Sequence, residues 1–167
     1  RWRAIGDDVQ QALWLSLLLT AAGLPCVLAT DLWLGFARTD DAVGRVATLY
    51  LQAIAFGLPA ALATRVFVAL NAAVSRPKVT MVVNVTALTL KVPLNLVFMY
   101  GAGPVPALGG AGAGVATALL AWLMLAMSLA VWRFDPFYAR LRSGEVHGPR
   151  WAALREQLKL GVPIGLS

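Results

Sequence analysis

Four long hydrophobic blocks dominate this sequence, and each contains at most one charged residue. They cover about residues 10–31, 46–75, 79–100 and 111–132. A helix that crosses the roughly 30 Å hydrocarbon core of a bilayer needs about 20 residues at 1.5 Å each. Each block is long enough to do this. The alternative spanning structure, a β-barrel strand, alternates apolar and polar residues, and Ala118–Ala130 has no such alternation. The blocks therefore predict transmembrane helices.

The composition supports a membrane protein. Hydrophobic residues make up 59% of the chain and charged residues 13%, whereas a soluble domain has about 45–50% and about 25%. So few charges cannot cover a water-exposed surface. This excludes a soluble enzyme, a disordered tail and a coiled coil. We predict an all-α, polytopic transmembrane helix bundle that is not an enzyme.

The charges between the blocks predict the orientation of the bundle. The chain has 14 Lys and Arg against 8 Asp and Glu, and six of the basic residues lie in 133–159. This clustering fits membrane topology better than nucleic-acid binding, because cytoplasmic loops carry an excess of Lys and Arg. Residues 31–45 are net acidic and 101–110 carry no charge. We therefore expect the N-terminus, the Arg76–Lys78 turn and residues 133–159 to be cytoplasmic.

Residues 133–159 are predicted to form a cytoplasmic, amphipathic loop after the fourth span. Trp151, Leu154 and Leu158 recur at helical spacing with basic residues between them, which fits a helix lying on the membrane surface. A solvated linker helix explains the same pattern equally well. Residues 160–167 read as the start of a fifth span. We accordingly expect the chain to be a piece of a longer protein.

The usual motifs of metal and cofactor sites are missing from the sequence. His147 is the single histidine and lies in a polar stretch without partner ligands, so neither a metal nor another cofactor is expected. The glycine-rich run 109–114 lacks the preceding strand that a dinucleotide site requires. Gly110 and Gly114 instead have the GxxxG spacing that lets membrane helices pack closely, as do Gly161 and Gly165.

Two cations lie inside the predicted spans, Arg65 and Lys91. Such a residue at mid-bilayer costs about 2.5–3.5 kcal/mol on insertion scales, so it usually faces a polar cavity or a partner. Lys91, Asn95 and Asn84 share one helix face, because they are spaced by four and seven residues. Interhelical hydrogen bonding is the alternative role, and for Asn84 alone it is the preferred one.

Three prolines fall inside the predicted spans and are candidates for helix kinks: Pro25, Pro59 and Pro93. Pro93 lies between Lys91 and Asn95. Polar side chains beside a break in a helix are typical of ion and substrate sites in transporters. We therefore predict an ion or substrate site around Lys91 and Asn95.

These residues resemble the multidrug and toxic compound extrusion (MATE) transporters, of the bacterial NorM-like branch. The similarity covers nearly the whole chain and lies in an ordered set of short stretches rather than in one motif. They are Tyr50-Leu51 with Gly57-Leu58-Pro59-Ala60, Ser75-Arg76-Pro77, Lys91-Val92-Pro93-Leu94-Asn95 with Phe98-Met99-Tyr100-Gly101, and residues 106–117 and 160–166.

The resemblance implies a place in a twelve-helix fold with two six-helix lobes. The chain would supply helices three to six of the N-terminal lobe, the loop between the lobes and the start of helix seven. It also implies an antiporter in the bacterial inner membrane that exports amphipathic organic cations in exchange for protons or sodium. The full-length protein is expected to be a monomer that contacts the lipid bilayer and no nucleic acid. A lipid-linked oligosaccharide flippase of the same superfamily is the alternative.

The family's N-lobe ion site uses an acid on helix one, two polar residues spaced by four on helix five, and a threonine that opens helix six. By resemblance the pair falls on Lys91 and Asn95 and the threonine on Thr117. The family pattern has asparagine where this sequence has Lys91. Because an ammonium repels sodium, we favour protons as the coupling ion. We hypothesise that Lys91 pairs with the helix-one carboxylate, which this chain does not contain.

Overall fold

The computed structural model is helical over most of the residues that it describes, which are 2–29, 41–102, 104, 106–141, 148, 151, 155, 157 and 159. Four long helices are followed by one short one: α1 Trp2–Leu28, α2 Asp41–Ala73, α3 Pro77–Tyr100, α4 Gly110–Phe134 and α5 Pro136–Ala139. The four long helices are long and apolar enough to cross a membrane. An all-α polytopic bundle is therefore confirmed.

The first two helices begin before the hydrophobic blocks that predicted them. α1 begins at Trp2 instead of near residue 10, and α2 begins at Asp41 instead of near residue 46. The reason is visible for α1, where Ile5 and Val9 pack into the core although Asp7 and Asp8 lie between them. The helix extends through these charged residues because the apolar residues on its buried face continue at helical spacing.

α4 packs most extensively on α2 and also on α3, and α1 packs on α2. Small residues allow the close approach of α4 to α2. A Cβ added at Gly110 would lie 3.2 Å from Val46, and one at Gly114 would lie 2.9 Å from the Tyr50 ring. The structural role predicted for the Gly110–Gly114 pair is thus confirmed.

The antiparallel pair α3–α4 is joined by a tight connection between two glycines with positive φ, Gly101 (80°) and Gly109 (56°). Two backbone bonds close this connection, from Leu108 N–H to the Phe98 carbonyl (3.0 Å) and from Gly109 N–H to the Met99 carbonyl (3.1 Å). Glycine adopts positive φ without the steric cost that a Cβ brings. The pairing fixes the register between α3 and α4.

At the other end of the bundle, the chain turns back beneath the helices after α4. Tyr138 and Leu141 are almost completely buried and form one core cluster with Val9 of α1 and with Phe67 and Leu70 of α2. The first residues of the predicted 133–159 loop are therefore part of the folded bundle.

Candidate functional site

The predicted site on α3 lies on a part of the helix that has few neighbours. α3 buries Val83 and Ala87 near its start, and it meets α4 again at Phe98, whose carbonyl lies against Gly112. Between these contacts, every residue from 88 to 93 is exposed, and Lys91 is among them. The ammonium therefore lies on an open face of the helix, in the middle third of its span.

Asn95 lies one turn after Lys91 and is half-buried. Its Oδ1 atom is enclosed by protein and has no hydrogen-bond partner among the described residues. A buried acceptor without a donor is costly, so this oxygen is ready to bind a donor or a cation. Asn84 is exposed and lines a separate groove of about 390 Å³ between α2 and α3.

Thr117 lies on α4 at nearly the same depth as Lys91. Phe98 and Gly112 are side by side in the antiparallel pair, so Thr117, five positions after Gly112, is level with position 93 of α3, midway between Lys91 and Asn95. The Thr117 side chain is exposed, and its hydroxyl donates to the Ala113 carbonyl of its own helix (2.8 Å). The fold thus brings Lys91, Asn95 and Thr117 to one level of two neighbouring helices.

Arg65 is in a different part of the bundle. It is exposed and lines a groove of about 730 Å³ between α1 and α2, together with Asp8 and Ser16. α1 packs on α2, whereas α3 packs mainly on α4. Arg65 therefore does not share a site with Lys91.

The three candidate kink prolines all lie inside helices: Pro25 in α1, Pro59 in α2 and Pro93 in α3. Close to Pro59, the Trp122 indole N–H donates to the Phe56 carbonyl (3.2 Å), and the two rings lie 5.6 Å apart. A proline crowds the carbonyls of the preceding turn. A side chain of α4 thus gives the backbone of α2 an additional donor there.

A charged cluster that the sequence analysis did not predict joins the α2–α3 turn to the end of α4. The Arg76 guanidinium donates to Asp135 Oδ2 at 2.6 Å and lies 4.5 Å above the centre of the Phe137 ring. The Phe137 backbone N–H donates to the other oxygen, Asp135 Oδ1 (2.9 Å). Both bonds lower the pKa of Asp135, the backbone bond most, and the bond with Asp135 raises the pKa of Arg76.

A second polar chain runs beside this ion pair. The Tyr138 hydroxyl donates to Asn71 Oδ1, and Asn71 Nδ2 donates to the Thr80 hydroxyl (3.2 Å). Burial raises the pKa of Tyr138, so the phenol keeps its proton. Two sequence signals could have indicated this cluster: Asn71 interrupts an apolar run, and Asp135-Pro136 is typical of a helix start.

Other predicted features lie outside the described residues. They are His147, the Gly161–Gly165 pair, the residues 160–167 assigned to a fifth span, and much of the segment 142–159. In the described parts of the chain, no group of three or more His, Cys, Asp or Glu could hold a metal ion.

Comparison with known proteins gives a consistent result. The model of the MatE family matches residues 1–97, a range that includes Lys91 and Asn95. "Probable multidrug resistance protein NorM" of Chromobacterium violaceum is 36% identical over 99% of this chain and 36% of its own length. The protein of the same name from Acinetobacter baylyi is 34% identical over 95% of this chain and 36% of its own length.

"Multidrug resistance protein NorM" of Vibrio parahaemolyticus is similar as well. It is 33% identical over 98% of this chain and 36% of its own length. The chain therefore spans about a third of the length of the curated relatives that it matches.

Proposed function

Because the chain belongs to the MatE family, we propose that it acts within a secondary active transporter that exports amphipathic organic cations in exchange for protons. The relatives are named as multidrug resistance proteins, and the four apolar helices fit a multi-pass membrane protein. The proposed location is the bacterial inner membrane, with the N-terminus of this chain in the cytoplasm. The proposed full-length protein is a monomer.

The observation that carries the choice of protons is the position of Lys91. An ammonium on the open face of α3 repels sodium, which favours protons as the coupling ion. Next to it, the Asn95 Oδ1 atom has no hydrogen-bond partner in the described part of the chain and offers an acceptor for the lysine N–H groups or for a cationic substrate. Intramembrane ionisable residues of this kind mark ion and proton pathways in transporters.

In the proposed mechanism, Lys91 pairs with a carboxylate of another helix and gives up that pair when a proton or a substrate arrives. Asn95 would accept a hydrogen bond from the released ammonium. Thr117, at the same level on α4, would bind the proton carrier or the substrate. Transport then follows from movement of the helices around a site near the membrane midplane.

Export by the full-length protein in proteoliposomes tests this proposal. A fluorescent lipophilic cation is followed first under a proton gradient and then under a sodium gradient, with protein-free vesicles as the control. The proposal predicts movement of the dye under the proton gradient alone. Movement under sodium alone would contradict proton coupling, and an absence of movement under both gradients would favour the lipid-linked oligosaccharide flippase.

A further inference from the structure

The end of the bundle at the α2–α3 turn is closed by residues 135–141, which we call the strap. The strap follows directly after α4 and contains the short helix α5. Two of its side chains, Tyr138 and Leu141, are among the most deeply buried in the described structure. Because they contact α1 and α2, while the strap itself continues from α4, it links three helices through packing.

Polar bonds connect the strap to the remaining helix, α3. The two oxygens of Asp135 accept hydrogen bonds from different donors. Oδ1 accepts one from the Phe137 N–H and caps α5, and Oδ2 accepts one from the Arg76 guanidinium. Arg76 immediately precedes α3. One carboxylate therefore both starts the strap and binds it to the α2–α3 turn. A charge-assisted bond of this length is stronger than a neutral one.

The α2–α3 turn holds Arg76 in a defined position. The Ser75 N–H donates to the Ala72 carbonyl (3.1 Å) and the Arg76 N–H to the Asn71 carbonyl (2.8 Å), the two bonds of a Schellman motif. Ser75 occupies the left-handed position of this motif with φ of 56°, where glycine is usual. This strained backbone conformation at Ser75 orients the Arg76 side chain toward the strap.

The bonds of Tyr138 add a second attachment. Its hydroxyl, Asn71 and Thr80 form a chain that crosses from the strap to α2 and then to α3. Asn71 is buried, so a missing partner would leave an unsatisfied polar group inside the protein. The arrangement is therefore specific, whereas apolar packing alone would allow the strap to slide.

We propose that the strap is a lock that holds this end of the four helices as one rigid body and anchors the segment that follows it. Beyond the strap, the Gln11 side chain donates to the Gly148 carbonyl (3.1 Å), so the chain passes next to α1. Under the proposed transport function, on which this consequence rests, a movement of the following segment would act on the whole bundle and not on α4 alone.

A double-mutant cycle with a distance readout tests the lock in the full-length protein in nanodiscs. Spin labels are placed by Lys78→Cys, in the first turn of α3, and by Arg140→Cys, at the exposed end of the strap, in a background free of other cysteines. Arg76→Gln and Asp135→Asn are compared alone and together. Asp135→Asn keeps the capping oxygen and loses only the ionic partner.

The lock predicts one narrow distance distribution in the unaltered protein and a broad one in either single variant. The double variant is expected to be no broader than the singles, since contacting residues act non-additively. Tyr138→Phe, which removes only the hydroxyl, should also broaden the distribution. The matched control is Arg133→Gln, near the end of α4, where the guanidinium lies 6.0 Å from the Phe134 ring, and it should leave the distribution narrow.

Distributions as narrow in Arg76→Gln and Asp135→Asn as in the unaltered protein would overturn the lock. This readout does not require transport, so it separates failure of the lock from failure of the proposed function. In the transport assay, the same variants should lower the maximal rate several-fold without changing the substrate concentration for half-maximal rate. An unchanged rate in variants with a broad distribution would overturn the consequence for transport.

Discussion

The two cations within the spans have different surroundings. Lys91 lies about 14 Å along α3 from Tyr100 and about 21 Å from Pro77, so neither end of the helix is within easy reach of its side chain. Arg65 lies about 12 Å from the end of α2, a helix of 33 residues that exceeds the hydrocarbon thickness. A long arginine side chain can extend from there toward the headgroups. Lys91 is therefore the stronger candidate for a role in transport.

Asp135 gives a prediction for the pH dependence of stability. Its pKa in the folded protein lies below the ordinary value of 3.8, so its contribution to stability is fully present above that value. The contribution is lost as the pH falls through the lower, folded-state pKa. Melting temperatures of the unaltered protein and of Asp135→Asn should therefore differ most at neutral pH and converge as the pH falls below 3.8 and through the folded-state pKa.

The two ionisable groups near Asp135, Arg76 and Tyr138, do not change charge between neutral and acid pH. The pKa values of Arg76 and Tyr138 are both raised above their ordinary values, so both groups keep their protons throughout. A difference in melting temperature that stayed constant between neutral and acid pH would contradict the ionic role of Asp135.

At the scale of the helices, the small residues of α4 decide how the bundle packs. A Cβ at Gly57 of α2 would lie 2.8 Å from the Ala118 Cα, and a Cβ at Gly112 would collide with the Phe98 carbonyl oxygen. The two contacts involve backbone atoms that cannot rotate away. α4 therefore needs small residues toward both of its neighbours.

Gly112→Ala and Gly57→Ala should each destabilise the full-length protein by roughly 1–3 kcal/mol, the usual effect of overpacking. Thermal unfolding in detergent measures this as a lower melting temperature. Gly23→Ala is the matched control, since its added Cβ would lie 3.6 Å from Leu58, an ordinary contact. Alanine also favours helix more than glycine does. Equal melting temperatures for Gly112→Ala and Gly23→Ala would contradict the packing described for α4.

The sequence was sufficient to find elements that have a periodic or compositional signal. The four hydrophobic blocks predict the four long helices. The Gly110–Gly114 spacing predicts close helix packing, although only the structure identifies α2 as the partner. The start of α1 was not predictable from hydropathy, because Asp7 and Asp8 break the apolar run while the packing face continues. Lys91 was identifiable in the sequence as a lone cation in a span. The exposure of the helix around it could not be predicted without the structure.

The strap had only local signals, Asn71 within an apolar run and the Asp135-Pro136 helix start, and neither indicates which residues bond to each other. Its bonds join residues 59 to 67 positions apart, such as Arg76 with Asp135 and Asn71 with Tyr138. Neither spacing nor periodicity relates such distant residues. The excess of basic residues in 133–159 therefore predicts one loop, whereas the first residues of that segment belong to the bundle.

At the scale of the molecule, the helices expose large apolar side chains over much of their length, among them Phe56, Val82, Leu88 and Val92. Surfaces of this kind are stable against lipid or against further helices. Lys91 lies among them, but four other basic residues do not. Arg76, Lys78, Arg133 and Arg140 lie at one end of the bundle, whereas the described residues of the α3–α4 connection carry no charge.

This charge distribution predicts the orientation in the membrane, because basic ends remain in the cytoplasm. The test uses a full-length protein from which every native cysteine, including Cys26, has been removed. A cysteine introduced by Pro106→Cys in the α3–α4 connection should react with an impermeant thiol reagent added to intact spheroplasts. Lys78→Cys should react only after the membrane is opened. The reverse labelling pattern would show that the proposed orientation is inverted.

The central claim is that export is coupled to protons through Lys91. The most direct measurement follows proton-driven dye export across a range of pH, by the full-length protein and by its Lys91→Asn variant. The matched control is Lys78→Asn, in the first turn of α3. We expect Lys91→Asn to lower the rate by about tenfold, equivalent to about 1.4 kcal/mol, and to flatten its pH dependence, while Lys78→Asn leaves both unchanged. An unaltered rate and pH profile in Lys91→Asn would contradict the account.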